Sequence, residues 1–247
     1  MNSASANLVV NGGFELYSGG FSQLGDSGTG GYTSLTAWTA GPGTSGTTFG
    51  VQLSTGIDDG PGAYSPLLST SIQLHGPSNG SNNGLTGSAD GGAYVALAGG
   101  ATWKGNGISQ TLSGLTPGES YDVGFEWALA QRFGFSGTYS GSLDVFFGSS
   151  NLSTSIAVVP STGFGAWTPE TFSFTAASSS EVLRFQANGT PDDLGPFVLL
   201  DGIFVIATTP PTPPAAVPEP GTVGLMACVV VGFGAFRLRR RVLAKAV

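Results

Sequence analysis

The stretch ISQTLSGLTPGESYDVGFEWA, residues 108–128, decides how this chain folds. In its second half Tyr121, Val123, Phe125 and Trp127 fall on one face, with Leu129 just beyond, while Asp122, Gly124 and Glu126 fall on the other. Such a period of two marks a half-buried strand, because successive strand side chains point to opposite faces. GISQTLS at 107–113 repeats the pattern, and Pro117-Gly118 in LTPGES supplies a tight turn that reverses the chain into the long strand.

Seven more runs follow the same rule or are short and strand-like: SIQLH (71–75), AYVALA (93–98), SLDVFFG (142–148), LSTSIAVV (152–159), ETFSFTA (170–176), EVLRFQA (181–187) and FVLLDGIFVIA (197–207). No body segment of twelve or more residues carries a helical period. The expected fold class is therefore all-β, an antiparallel jelly-roll β-sandwich. Trp38 and Trp127 are expected in its core, because they sit among alternating apolar neighbours. The Gly-, Ser- and Asn-rich segments 18–35 and 76–92 are expected as surface loops, the second offering Asn79, Asn82, Asn83 and Asp90 to hydroxyl groups.

Charge is scarce and unevenly placed. Residues 1–219 hold all fifteen acidic residues against three basic ones, Lys104, Arg132 and Arg184, a net charge of −12. Such a body repels phosphate backbones, so no nucleic-acid partner is expected. Cys228 is the single cysteine, which excludes an internal disulfide and a Cys-based metal cluster.

The C-terminus has a different character. Thr222 to Phe236 is a run of fifteen uncharged residues, about 22 Å as a helix, and Arg237, Arg239, Arg240 and Arg241 follow it at once. That length is short for a membrane span. Arginine stems that reach the headgroups narrow the gap, and the positive-inside rule then puts the arginines in the cytoplasm. Upstream, Thr208 to Pro218 carries five prolines and suits an extended spacer of about 30 Å. At the other end Ala4-Ser5-Ala6 has the small-residue form of a signal-peptidase site.

Pro218-Glu219-Pro220, the apolar run and the arginine cluster together resemble the PEP-CTERM sorting domain of Gram-negative bacteria that make exopolysaccharide. The resemblance implies an exosortase as processing partner, transient anchoring in the inner membrane and delivery to the envelope, surface or matrix. The expected organisation is a leader remnant or floppy terminus (1–6), a sandwich (7–207), a Pro-rich linker (208–217), a sorting signal (218–241) and a tail end (242–247).

NLVVNGGFE (7–15), Trp38, DGGAYVALAG (90–99), the stretch 108–128 and LLDGIFV (199–205), in that order, resemble the galactose-binding-like β-sandwich of bacterial carbohydrate-binding modules. In that family a structural calcium is often held by a carboxylate after the first strand and another in the last, which here implies Glu15 and Asp201. Gly202 departs from the commoner Leu-Asp-Asp pattern and removes one oxygen ligand.

Sugar stacking needs rings flanked by fixed polar groups. QRFGFSGTYS (131–140) offers Arg132, Phe133, Phe135 and Tyr139, and GGATWKGNG offers Trp103 beside Lys104. Catalysis is not expected: His75 is the single histidine, and Glu126, Glu170 and Asp144 form no spaced acidic motif. The expectation is an exported, non-catalytic binder of extracellular or cell-surface polysaccharide. A structural or adhesive matrix protein without specific sugar recognition stays open beside it.

Overall fold

The structure, a computed structural model, describes residues 6–19, 23–24, 33–41, 51–55, 63–65, 70–100 and 107–208. The chain divides into two compact units, Met1–Pro210 and Pro211–Val247, and the described residues all belong to the first.

Two antiparallel sheets face each other. The front sheet runs β11 (Ser150–Ser153), β10 (Tyr139–Phe147), β14 (Ser180–Thr190), β8 (Gly107–Ser113) and β3 (Thr39–Ala40), with β12 (Ala157–Val159) also paired to β10. The back sheet runs β13 (Gly165–Thr175), β9 (Ser120–Gln131), β15 (Pro196–Ala207), β7 (Ala93–Ala98) and β4 (Val51–Thr55). Two short ribbons, β1 (Tyr17–Ser18) with β2 (Ser34–Leu35) and β5 (Ala63–Ser65) with β6 (Thr70–Ile72), complete the described strands.

The turn at Pro117-Gly118 carries the chain from β8 in the front sheet to β9 in the back sheet. Gly118 takes φ +86°, its N–H donates to the Ala176 carbonyl (2.8 Å), and the Thr116 N–H donates to the Tyr121 hydroxyl (2.9 Å). Between the sheets the expected face of β9, Tyr121 to Leu129, packs on Leu143, Val145 and Phe147 of β10 and Leu183 and Phe185 of β14. Phe125 meets Phe185 edge-on at 5.5 Å between ring centroids. Trp38 and Trp127 are both buried in this core, as their neighbours predict.

AYVALA differs from a half-buried strand in that all six residues are buried. A second apolar layer lies on the outer face of the back sheet, where Ile72, Leu74 and Leu85 cover Tyr94, Ala96, Ala98, Ala128, Ala130 and Leu199. The small alanines let the covering segment approach closely. Trp167 clamps it by an edge contact to Tyr94 (5.5 Å) and a hydrogen bond from Nε1 to the Thr86 carbonyl (2.8 Å). Segment 76–92, expected as a solvated loop, is therefore partly a strap over a second core, with Leu85 as its apolar anchor.

Three strand expectations also change. NLVV is not a strand: Gln110 accepts from the Val10 N–H (2.9 Å) and donates to the Val10 carbonyl (2.8 Å), so one side-chain amide replaces a strand rung. LSTSIAVV is broken at Thr154, whose N–H donates to the Leu143 carbonyl and whose Oγ1 accepts from the Leu143 N–H, both at 3.0 Å. SIQLH keeps only its first two residues in β6. On the other sheet the edge strand β13 carries Pro169 and an irregular register between Gly165 and Thr168.

Candidate ligand-binding face and metal site

The back sheet is covered on both faces over much of its area, whereas among the described residues nothing covers the outer face of the front sheet. Strand alternation puts Ser140, Ser142, Asp144 and Phe146 of β10 on that face. Arg184, Gln186 and Asn188 of β14 and Ser109, Thr111 and Ser113 of β8 join them. The register aligns Phe146 with Arg184 and Arg184 with Ser109 in one row, Asp144 with Gln186 in the next, and Ser142 with Asn188 beyond.

The Arg184 guanidinium carbon stands 3.9 Å from the Phe146 ring centroid, and its Nη1 donates to Gln186 Oε1 (3.0 Å). Ser153 Oγ donates to Asp144 Oδ1 (2.6 Å) at the edge of the same face. The result is a ring, a fixed cation, amides and hydroxyls on a rigid surface, the groups that hold a polyhydroxylated ligand. A cavity of about 220 Å³ opens at one corner, beside Ser142, Asn188 and Ile156. Another of about 440 Å³ opens at the opposite edge, beside Val10, Ser109 and Thr111.

A second site lies on the outer side of the back sheet, at the break in register between Asp201 and Phe204 where Gly202 takes φ +59°. Asp201 is fully buried; its Oδ2 accepts from Ser88 Oγ, while Oδ1 has no hydrogen-bond partner among the described residues. Burial pushes the Asp201 carboxyl up to about 7 against the pull of the Ser88 and Gly202 hydrogen bonds, and the Asp90 and Glu126 carboxylates raise it further. Glu126 is itself tied down by the Ala89 N–H (2.8 Å).

NGGFE builds the wall of this site. Asn11 takes φ +57° and locks the bend with its side chain, donating to the Leu16 and Thr36 carbonyls and accepting from the Leu16 N–H. A Cβ on Gly12 would stand 1.9 Å from the Ile203 carbonyl oxygen, and one on Gly13 would stand 2.3 Å from Asp90 Oδ2. Phe14 is fully buried, 5.5 Å from Trp38. Glu15 Oε1 accepts from the Ala93 N–H (2.6 Å) and sits against Gly92. The carboxylates that raise the Asp201 carboxyl are Asp90 and Glu126. Among the described residues no group of three or more His, Cys, Asp or Glu side chains is gathered as a metal cluster.

The cluster expected at 131–140 is placed elsewhere. Tyr139 is a core residue, 1% exposed, whose hydroxyl donates to the Gly163 carbonyl (2.9 Å) and whose pKa burial drives upward; it offers no ring to a sugar. The reason is register: Tyr139 begins β10 on its inward parity, with Leu143 and Val145. Arg132 and Phe135 do meet, the guanidinium 5.3 Å from the ring centroid, and desolvation lowers the Arg132 pKa. They stand against the strap: Phe133 donates its N–H to Gln73, and the Phe135 carbonyl lies 2.8 Å from His75 Nε2. With Nδ1 2.7 Å from Ser81 Oγ, both nitrogens of the sole histidine are engaged.

Buried Gln131 ties three loops together, donating to the Gly137 and Leu194 carbonyls and accepting from the Thr162 N–H. Trp103, Lys104 and the sorting-signal residues Pro218, Glu219, Pro220, Arg237, Arg239, Arg240 and Arg241 lie outside the described residues. Phe146, Arg184, Gln186 and Ser88 were not expected as site residues, and Asp90 was expected to meet hydroxyl groups rather than to stand beside Asp201. The signal was present for the first three, as large or charged outward positions in SLDVFFG and EVLRFQA.

Comparison with known proteins bears on both ends of this architecture. Residues 216–241, which contain the Pro-Glu-Pro, the apolar run and the arginines, match the PEP-CTERM protein-sorting motif. The chain ends in a PEP-CTERM sorting signal. The PEP-CTERM match begins two residues before Pro218 and ends at Arg241. No curated protein matches the chain.

Among solved structures, the sandwich of this PEP-CTERM chain is similar to the carbohydrate-binding module TmCBM61 in complex with β-1,4-galactotriose. The two are 14% identical with a TM-score of 0.41, over 82% of this chain and 99% of that one. It is also similar to a CBM4 structure (15% identity, TM-score 0.34, 80% and 98% of the two chains). A third likeness is to the CBM22-1 xylan-binding domain of Paenibacillus barcinonensis Xyn10C (13%, 0.37, 84% and 97%). Among the described residues no helix is long and apolar enough to cross a membrane.

Proposed function

We propose that this PEP-CTERM protein is an exported, non-catalytic binder of extracellular or cell-surface polysaccharide, and that the outer face of the front sheet is its binding surface. The observation that supports this reading is the contrast between the sheets: the strap covers the back sheet, and among the described residues nothing covers the front one. On that face a cation is fixed over a ring and surrounded by amides and hydroxyls. Sugars have apolar ring faces for the first and hydroxyls for the rest. A face dominated by uncharged groups also suits a neutral glycan, since the acidic body repels polyanions.

The sorting signal supplies the location in this reading. An exosortase is the processing partner, the segment 222–236 anchors the chain in the inner membrane beforehand, and the sandwich ends in the envelope, at the surface or in the matrix of a Gram-negative bacterium.

The same reading places a structural calcium ion at Asp201. A hard cation takes carboxylate oxygens, and the orphaned Oδ1 of a buried carboxylate beside Asp90 is a fitting donor. Glu15, the other carboxylate that the family pattern implies, holds the chain at Ala93 beside Gly92. Such an ion would keep Asp201 ionised and fasten the strap and the NGGFE bend to the last strand.

The test is binding of the protein to a panel of neutral polysaccharides, compared with Phe146→Ala and Arg184→Ala variants. Saturable binding to one glycan class, lost in both variants while the near-UV spectrum is kept, is the expected result. A folded protein that binds no glycan of the panel would overturn the reading and favour a scaffold.

A further inference from the structure

Resting on the reading of this protein as a glycan binder, we infer that the sandwich carries a second sugar site on its other sheet, a platform at Phe204 that takes a unit bearing a free amino group. The break in register at Gly202 creates it. Before the break Val198 and Leu200 of β15 point into the main core, and after it Ile203 and Val205 do. The extra residue thus turns Phe204 outward, onto the face that the strap covers farther along at Ala128, Ala130 and Leu199.

There Phe204 is 36% exposed, and its register partner on β9 is Gly124, which pairs in turn with Thr171 of β13. The Cβ that Gly124 lacks would stand 2.1, 2.3 and 2.8 Å from Cζ, Cε1 and Cε2 of the ring. Three distances this short put that point above the ring and not beyond its rim. The ring therefore lies across the main chain of β9, one face against the sheet and the other turned to solvent. An aromatic face held flat on a rigid sheet offers the apolar wall on which a pyranose ring rests.

Polar groups frame the ring. Asp122 and Glu126 flank Gly124 on β9, each about 7 Å along the strand and on the same face. Asp122 Oδ1 accepts from Ser173 Oγ (2.6 Å) and Glu126 Oε2 from the Ala89 N–H (2.8 Å), so both carboxylates are held in place. One bond each leaves a carboxylate most of its acceptor sites. Thr171 and Ser173, both exposed, add hydroxyls from the neighbouring strand.

An aromatic face is itself electronegative, so a ring between two carboxylates favours a cation. An amino sugar meets all three parts of the platform. Its ring covers Phe204, its ammonium turns to Asp122 or Glu126, and its hydroxyls reach Thr171. The acidic excess of residues 1–219 draws such a polycation from a distance.

Calorimetry of the full chain compares a glucosamine tetramer with chitotetraose, its N-acetylated counterpart, and with spermine, an amine without a sugar ring. The comparison is run on the Phe146→Ala variant as well, which takes the front face out. In both proteins the glucosamine tetramer is expected to bind at least about tenfold tighter than either competitor, the worth of one charge-assisted contact. Added salt should weaken it. Phe204→Leu, which keeps Gly124 covered without a flat ring, and Thr171→Lys, which sets a like charge beside it, should each remove the preference.

Equal affinity for the tetramer and chitotetraose, or no binding of the tetramer, overturns the amino-sugar inference. Equal affinity for the tetramer and spermine overturns the recognition of a sugar ring. A preference that survives both Phe204→Leu and Thr171→Lys, or that vanishes with Phe146→Ala, overturns the assignment to Phe204. The front-face reading stands or falls separately, on the neutral panel.

Discussion

The Arg184 guanidinium carbon stands 3.9 Å from the Phe146 ring centroid, on a sheet face that no segment among the described residues covers. A pair of this kind at an accessible site is worth about 0.5–1 kcal/mol. Phe146→Ala should therefore cost the fold no more than about 1 kcal/mol in urea unfolding, while glycan affinity falls at least about tenfold. A loss of stability without loss of affinity would make the pair structural.

Asp201 gives a pH dependence of defined sign. Its carboxyl stands at about 7 in the fold against about 4 in the unfolded chain, so between those values the folded state holds the extra proton. Without metal, stability is full below pH 4 on this account and is lost as pH rises through 7, by at most about 4 kcal/mol. Thermal melts in EDTA from pH 4.5 to pH 8 should show Tm falling, and Asp201→Asn should flatten the curve. Added calcium should restore Tm mainly at the alkaline end, since it needs the ionised carboxylate.

Gly12 and Gly80 separate close approach from backbone conformation. A Cβ at Gly12 meets the Ile203 carbonyl oxygen at 1.9 Å, and main chain cannot step aside. Gly12→Ala should cost at least about 3 kcal/mol. Gly80 has nothing within 4 Å of such a Cβ but takes φ +89°, so Gly80→Ala should cost about 1–2 kcal/mol, the strain of a left-handed alanine alone. Urea midpoints of the two variants check the order.

Tyr139 and Gln131 test the end of the sandwich. Tyr139→Phe removes one hydrogen bond to Gly163 and should cost about 1 kcal/mol with no change in sugar binding. Gln131→Leu strands three backbone groups, on Gly137, Thr162 and Leu194, and should cost more, about 2–4 kcal/mol. Faster amide exchange confined to those three loops is the accompanying readout.

The strands on both sheets were legible because alternation is a local property, and Val123, Phe125 and Trp127 share a face wherever the strand is placed. Sheet membership was not: the turn at Pro117-Gly118 looks the same whether it joins neighbours or crosses between layers. The second core was hidden because, beyond Ile72 and Leu74, its cover is one leucine, Leu85, in a segment whose other residues all suit solvent. Tyr139 was misplaced because a loop rich in aromatics looks like a cluster until the parity of β10 divides it, sending Tyr139 inward. NGGFE and Asp201 were found by their order along the chain, yet Asp90 and Ser88 lie in the strap and no spacing links them to the last strand.

The interruptions at the sheet margins reach beyond the single molecule. Thr154 divides the strand beside β10, and Pro169 with its slipped register breaks the rim of β13. Neither margin offers an unbroken ladder on which a second chain could continue the sheet. Crowding two molecules together at these margins would therefore not join their sheets, because each rung that a neighbouring strand could take up stops at Thr154 or Pro169.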